Sequence, residues 1–300
     1  MKVAIAGGTG LIGTSLTKQL INKGHEVLIL TRNPADKKSG EGVSYIEWLT
    51  PQSAPEKELE GIDAFINLAG ESLNSGRWTD QKKQEILDSR IDVTRESVRI
   101  LHVLEKTPQV LINGSAVGFY GTSFEKAFTE ADTTPAEDFL GDVVVQWEEE
   151  ADKAPKNVRV VKSRFGVILS GEDGALKKML PPFKMGIGGK LGTGEQWMSW
   201  IHVDDAAKAL IYCLEHDDME GPVNVTSPTP ERMKVFGRTL ADVLNRPFWA
   251  PVPSNVLKAA LGEMSVLILE GQQVVPQKLL DHGFEFKYPN LYEALYELVG

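Results

Sequence analysis

The chain has 300 residues, 42% hydrophobic and 25% charged, with Lys+Arg 32 against Asp+Glu 42, a net charge of −10. This is the composition of a water-soluble globular protein long enough for one large α/β domain or two smaller ones. The acidic balance argues against non-specific binding to nucleic acid or an anionic membrane, while leaving room for a local basic pocket.

Residues 1–13 read M-K-V-A-I-A-G-G-T-G-L-I-G: a short apolar strand at 3–6 running straight into Gly7, Gly10 and Gly13. In a dinucleotide site the first glycine allows the tight turn, the second lets backbone approach a pyrophosphate, and the third lets helix pack on strand. The phosphates then meet the free N–H groups of a helix N-terminus. That helix is predicted over 11–23, ending at Gly24. Strands follow at 26–31 and 43–48, then a polar connection over 51–61, then a strand at 64–68. A long helix is predicted over 79–104, with Ile86, Ile91, Val98 and Leu101 on its apolar side. A strand at 110–115, a helix within 134–154 starting near Pro135, and a strand at 158–164 complete the alternation. The glycine- and proline-rich segment 171–194 reads as a loop, either a lid or substrate wall or a plain surface connection. Beyond it lie a strand at 199–203, a helix 205–214 capped by Asp204, a strand at 223–225, and amphipathic helices at 230–244, 254–261 and from about Asn290.

Alternating strands and helices imply a doubly wound parallel sheet with right-handed crossovers. The expected fold is therefore α/β: a Rossmann domain over 1–170, partly completed by 199–226, and a smaller α+β substrate and C-terminal region over 171–300. The single cysteine, Cys213, excludes an intramolecular disulfide and argues against a cysteine-based metal cluster; no metal site is expected. It lies in an apolar run and reads as a core thiol. No uninterrupted apolar run approaches the ~18 residues of a membrane span. The glycines of the N-terminal stretch belong to the turn rather than to an export signal, so the expected location is cytoplasmic.

At the end of the second strand, where an NAD site usually places an acid for the ribose 2′-hydroxyl, stand Thr31 and Arg32. Arginine cannot accept a hydroxyl hydrogen, but its fork pairs with a 2′-phosphate, so NADP (NADPH) is preferred over NAD. The fourth strand ends in Asn67-Leu68-Ala69-Gly70, whose small residues let a cofactor lie close to the backbone, or simply pack tightly.

G-G-T-G-L-I-G, N-L-A-G-E, S-R-I-D-V-T (89–94), N-G-S-A-V-G-F-Y-G (113–121), R-F-G-V-I-L (164–169) and W-I-H-V-D-D (200–205) together resemble an atypical, extended-type short-chain dehydrogenase/reductase. More narrowly, the chain resembles the YfcH-like epimerase family proteins, related to nucleotide-sugar epimerases. E-G-Q-Q-V-V-P-Q-K-L-L-D-H-G-F (270–284) resembles the short C-terminal domain of that group, here about 247–297. The resemblance covers nearly the whole chain. It implies an NADP cofactor along Gly7, Gly8, Thr9, Gly10, Leu11, Ile12 and Gly13, along Thr31 and Arg32, and along Leu68, Ala69 and Gly70. It further implies approach by Glu85 and Arg90 of the long helix and by the backbone near Ile168. On residue type alone, Glu85 and Arg90 also read as solvated helix charges.

The wider superfamily uses Ser/Thr with Tyr-x-x-x-Lys, the tyrosine as acid–base and the lysine lowering its pKa. None of the six tyrosines has a lysine four residues on. With Glu148 as the glutamate of the expected helix, the dyad positions fall near Leu140 and Val144, both apolar. Ser115 keeps the serine position, and Tyr120, in the following loop, is a candidate second catalytic residue. Without a lysine it should keep a pKa near ~10 and be a poor base; it also reads as a packed loop aromatic. Glu71 reads as a cleft or surface carboxylate. His202 reads as structural, and Trp147-Glu148 as helix packing with an ion-paired carboxylate. Two functions remain: an NADP(H)-dependent oxidoreductase or epimerase-like enzyme on a small or nucleotide-sugar-like substrate, or a catalytically silent NADP(H)-binding sensor or scaffold. The expected partners are such a small molecule and a second copy in a homodimer, with no nucleic acid and no membrane.

Overall fold

The computed structural model describes every residue except Lys38 and Ser75. Among the described residues, seven parallel strands form the central sheet: β1 (Lys2–Ala6), β2 (Glu26–Thr31), β3 (Val43–Glu47), β4 (Ala64–Asn67), β5 (Val110–Ala116), β6 (Arg159–Phe165) and β7 (Gly221–Val225). Their order across the sheet is β7-β6-β5-β4-β1-β2-β3. The reversal falls between β1 and β4, and a doubly wound sheet opens its ligand crevice there, at the carboxyl ends of the strands.

The helices are α1 (Leu11–Asn22), α2 (Asp80–Val103), α3 (Phe139–Ala151), α4 (Gly174–Lys184), α5 (Val203–Glu215), α6 (Met233–Val243), α7 (Ser254–Leu261) and α8 (Leu291–Val299), with shorter turns between them. Alternation along each strand divides the core. Val3, Ile5, Val27, Ile66 and Ile112 pack with Leu16 and Leu20 of α1 and Leu210 of α5 on one face. Ala4, Leu28, Phe65 and Leu111 pack with Val98 and Leu101 of α2 on the other. Cys213 lies fully buried in the first layer, where burial pushes its thiol up to about 12. No helix among the described residues is long and apolar enough to cross a membrane.

Several local expectations are corrected. The helix expected from Pro135 starts at Phe139, because the Asp138 carboxylate caps it by accepting from the Gly141 N–H at 2.8 Å. The segment read as a loop over 171–194 contains α4, with Pro181 and Pro182 inside it. Each proline removes one helical N–H. The helix holds because Leu176, Leu180 and Phe183, spaced four and three apart, bury one face against Trp200 and Phe236. The polar connection 51–61 includes a turn of helix, Glu56–Leu59, anchored by fully buried Leu59. The helix expected from Pro230 starts at Met233, after a short strand Glu231–Arg232 pairs antiparallel with Trp197–Met198.

The cap of α5 is His202 rather than Asp204: its Nδ1 accepts from the Asp204 N–H at 3.1 Å. That leaves Nε2 to donate to Glu297 of α8 at 2.9 Å. The fully buried Asp205 carboxylate accepts from the backbone N–H groups of Lys287 and Tyr288, at 2.7 and 2.8 Å. Thus W-I-H-V-D-D clamps the C-terminal segment onto the nucleotide-type sheet.

Candidate functional site

The glycine turn is sterically determined at two positions. Gly7 has φ +80°, and a Cβ there would lie 2.7 Å from the Leu68 carbonyl carbon and 2.8 Å from the Ala69 nitrogen. A Cβ on Gly13 would lie 2.3 Å from the Gly7 oxygen and 2.6 Å from the Gly8 Cα. The turn is therefore wedged between the start of α1 and the end of β4, with no space for side chains. Gly10 caps α1 and supplies no side-chain hydrogen bond to its first turn. The open end of that helix faces outward past exposed Thr9 and Gly10 and half-buried Leu11 and Ile12, a ready anion site.

β2 and β4, which pair with β1 on either side, bring their ends alongside this turn. Thr31 ends β2 half-buried, and Arg32 beyond it is exposed with no ion-pair partner among the described residues. The acid in register with Thr31, Glu47, accepts a hydrogen bond from Thr50 at 2.8 Å. At the end of β4, the Ala69 N–H donates to the Asn67 side chain at 3.2 Å. Asn67 in turn donates to Asn113 of β5 at 2.8 Å and to Thr94 of α2 at 3.1 Å. This buried lattice holds the strand ends in place. Arg90 reaches the same edge: a Cβ on Gly70 would lie 3.4 Å from its Cγ, and its guanidinium sits 5.2 Å over the Trp147 ring. It donates to the Ile86 carbonyl at 2.9 Å. Burial lowers it to about 10, against the opposing field of Glu71, so its charge is only partly compensated. Glu85 lies toward the α2 surface, where it accepts from Gln81 at 3.0 Å and from Lys82 at 3.3 Å; Lys82 also pairs with Glu71 at 2.7 Å. Ile168 lies on a short strand, Val167–Leu169. A Cβ on Gly174, at the start of α4, would be 3.7 Å from the Ile168 oxygen and 3.3 Å from Leu11. The starts of α1 and α4 and the Ile168 backbone thus meet at one point.

The two candidate catalytic residues belong to a buried network. Ser115, 2% exposed, donates its hydroxyl to Glu148 at 2.6 Å. Glu148 is held by Arg164 through Nε at 2.8 Å and Nη2 at 2.9 Å. Burial disfavours the Arg164 charge, but the hydrogen bonds and field of Glu148 outweigh this and leave Arg164 raised. Arg164 also donates to the Tyr120 oxygen at 3.0 Å, and Tyr120 donates to Asn224 of β7 at 2.8 Å. Tyr120 is stacked on Phe128 and lies in an apolar cluster with Phe119, Val144 and Val274. Burial raises it, with Arg164 opposing, so it is a weaker acid than free tyrosine. Leu140 and Val144, on the face of α3 where the dyad would stand, are covered by the turn Val117–Tyr120; a Cβ on Gly118 would lie 3.4 Å from Leu140. Arg164 and Asn224 went unrecognised from sequence; the register of β5 with β6, which sets Ser115 beside Arg164, identifies the first.

Comparison with known proteins identifies the family. Residues 3–226 match the NAD dependent epimerase/dehydratase family, and residues 252–298 match a domain of unknown function, DUF1731. The chain is 48% identical over 301 residues to the epimerase family protein YfhF of Bacillus subtilis, covering 100% of this chain and 98% of that one. It is 42% identical to the epimerase family protein SERP0438 of Staphylococcus epidermidis, with 98% of each covered. Among solved structures it is similar to a human epimerase family protein, SDR39U1 (isoform 2) with NADPH, at 32% identity and TM-score 0.88 over 99% of each chain. It is also similar to a nucleoside-diphosphate sugar epimerase from Corynebacterium glutamicum, at 30% identity and TM-score 0.77, covering 58% of that chain. The chain therefore belongs to the NAD-dependent epimerase/dehydratase family, of the short-chain dehydrogenase/reductase type, and carries the DUF1731 domain at its C-terminal end.

Proposed function

We propose that this chain is an NADP(H)-binding protein that holds its cofactor without tyrosine-based acid–base chemistry, as a cofactor-responsive sensor or scaffold. The glycine turn and the open start of α1 would take the pyrophosphate, Arg32 the 2′-phosphate, and the Leu68–Gly70 edge with Arg90 the inner part of the cofactor. NADPH in the 32% identical human structure supports the choice of cofactor. When bound, the cofactor supplies a hydride donor. The observation that carries the reading is the Ser115–Glu148–Arg164–Tyr120–Asn224 chain. It commits both candidate catalytic hydroxyls to buried protein partners. With its hydrogen on Glu148, Ser115 has none to offer a substrate carbonyl.

A second reading, an oxidoreductase or epimerase-like enzyme, rests on Ser115 standing at the carboxyl end of β5 with a carboxylate holding it. One experiment separates the two: titrate purified protein with NADPH by fluorescence, then follow NADPH oxidation across a panel of carbonyl compounds and nucleotide sugars, for wild type and Ser115→Ala. Saturable binding without turnover is expected. Turnover that Ser115→Ala abolishes would establish the enzyme.

A further inference from the structure

A second concave site lies on the outer side of α6, built from elements other than those that frame the glycine turn. It is a groove of about 400 Å³, within the range of ligand pockets. Lys190, Lys234 and Arg238 supply its charge, and Val235 and Phe248 its apolar lining. Phe248 stacks on buried Phe183 at 6.3 Å, and the Arg238 guanidinium lies 5.9 Å over the Phe248 ring. The two lysines are brought together by the turn at Gly194, φ +75°, where a Cβ would lie 2.7 Å from Lys190 Cγ and 2.9 Å from Lys234 Cβ. Lys234 pairs with Glu195 at 2.6 Å. That hydrogen bond, with the fields of Lys234, Arg232 and Lys190, holds the Glu195 carboxyl below its usual range. Asp242 is the acid that lines the groove. Nearby stand Trp249, 66% exposed with its indole N–H bound to the Gly186 oxygen at 2.9 Å, and Met185 and Ile187, also exposed.

In a chain of net charge −10 this is a local reversal of sign beside exposed apolar side chains. Aromatic, Met and Arg side chains are those enriched where proteins meet. A flat bilayer would leave the concavity unfilled. We propose that the groove docks an acidic peptide segment of a partner protein, with carboxylates on Lys190 and Arg238 and one large apolar anchor against Val235 and Phe248.

The test is fluorescence anisotropy of the full-length protein with a fluorescein-labelled peptide, Asp-Glu-Asp-Phe-Glu-Asp. Saturable binding is expected, weakened about tenfold between about 50 and 300 mM NaCl and at least about tenfold in Lys190→Glu/Arg238→Glu. Far-UV circular dichroism and NADPH binding of that variant should match wild type. If it does not fold, the wild-type salt titration and Val235→Asp, at an exposed lining position and expected to weaken binding about fivefold, decide instead. Absence of saturable binding, equal binding of the peptide with lysine at every acidic position, or unchanged affinity in the folded variants would overturn the proposal. So would co-sedimentation with phosphatidylserine vesicles, lost on charge reversal, when the peptide itself does not bind.

Discussion

Glu148→Gln asks whether the serine at the end of β5 is part of the scaffold or part of the chemistry. The carboxylate accepts three hydrogen bonds: Ser115 at 2.6 Å and Arg164 at 2.8 and 2.9 Å. Arg164 is 4% exposed. The glutamine amide presents N–H hydrogens toward a guanidinium and leaves that cation without a counter-charge. Breaking a buried pair from one side costs about 3–5 kcal/mol. For a chain of this size roughly 2 °C is lost per kcal/mol, so the melting midpoint should fall about 6–10 °C. Ser115→Ala removes one of three donors and should cost only about 1 kcal/mol. Urea and thermal unfolding by circular dichroism measure both, and NADPH affinity should stay within about threefold, which is 0.6–0.7 kcal/mol. Two results would refute the reasoning. One is Glu148→Gln unfolding within about 1 kcal/mol of wild type. The other is Ser115→Ala keeping its stability while losing about tenfold or more in NADPH affinity, a loss of about 1.4 kcal/mol, which would put the hydroxyl on the cofactor.

Three further outcomes are expected. Arg32→Ala should weaken NADPH about 10- to 100-fold, the worth of a charge-assisted phosphate contact, and leave NADH nearly unchanged; equal losses in parallel titrations would remove the 2′-phosphate assignment. Gly13→Ala places a Cβ 2.3 Å from the Gly7 oxygen, and backbone cannot yield cheaply. It should cost about 1–3 kcal/mol in stability and roughly a hundredfold in NADPH affinity, read by unfolding and fluorescence titration. Tyr120→Phe removes a phenol raised by burial. Unfolded tyrosine titrates near ~10 and the folded one higher, so above that pH the unfolded chain releases a proton that the native state keeps, and stability falls as pH rises. The contribution is fully present below about pH 10. Melting midpoints between about pH 8 and 11 should therefore decline less steeply in Tyr120→Phe than in wild type; parallel declines would show that Tyr120 is not the group titrating.

Where the sequence carried a strong periodic or steric signal, it was legible. β2 is found at the residues expected, and α1 and α2 differ only at their ends, because parallel strands buried on both faces and amphipathic helices write their pattern locally. The failures share a different cause. The glycines and prolines around α4 mask it, although Leu176, Leu180 and Phe183 hold the helical spacing. On residue type Asp204 reads as the cap of α5, because aspartate caps often. His202 takes that role because its other nitrogen is engaged by Glu297, 95 residues away, and such a contact leaves no local trace. Arg164 and Asn224 were missed for the same reason: their partners lie on α3 and in the loop after β5.

The same distinction bears on how the two halves of the site relate. The proposed cofactor cradle has a signature written within seven residues, glycines whose missing side chains make room for backbone at Leu68 and Gly7. The catalytic place of this family type is not local, since it depends on what one face of α3 presents to the end of β5. Here Val144 packs against Val117–Tyr120 with Leu140 beside Gly118, and Glu148, one turn beyond Val144, turns inward a charge that Arg164 and Ser115 satisfy together. A lysine at residue 144 would stand in the apolar cluster of Phe119 and Tyr120, which Arg164 contacts, with burial and like charge both opposing it. The arrangement is therefore not a dyad awaiting one substitution. Replacing Val144 by lysine should destabilise the fold before it lowers the pKa of any tyrosine, whereas the steric fit of the glycine turn against Leu68 does not depend on how that face of α3 is filled.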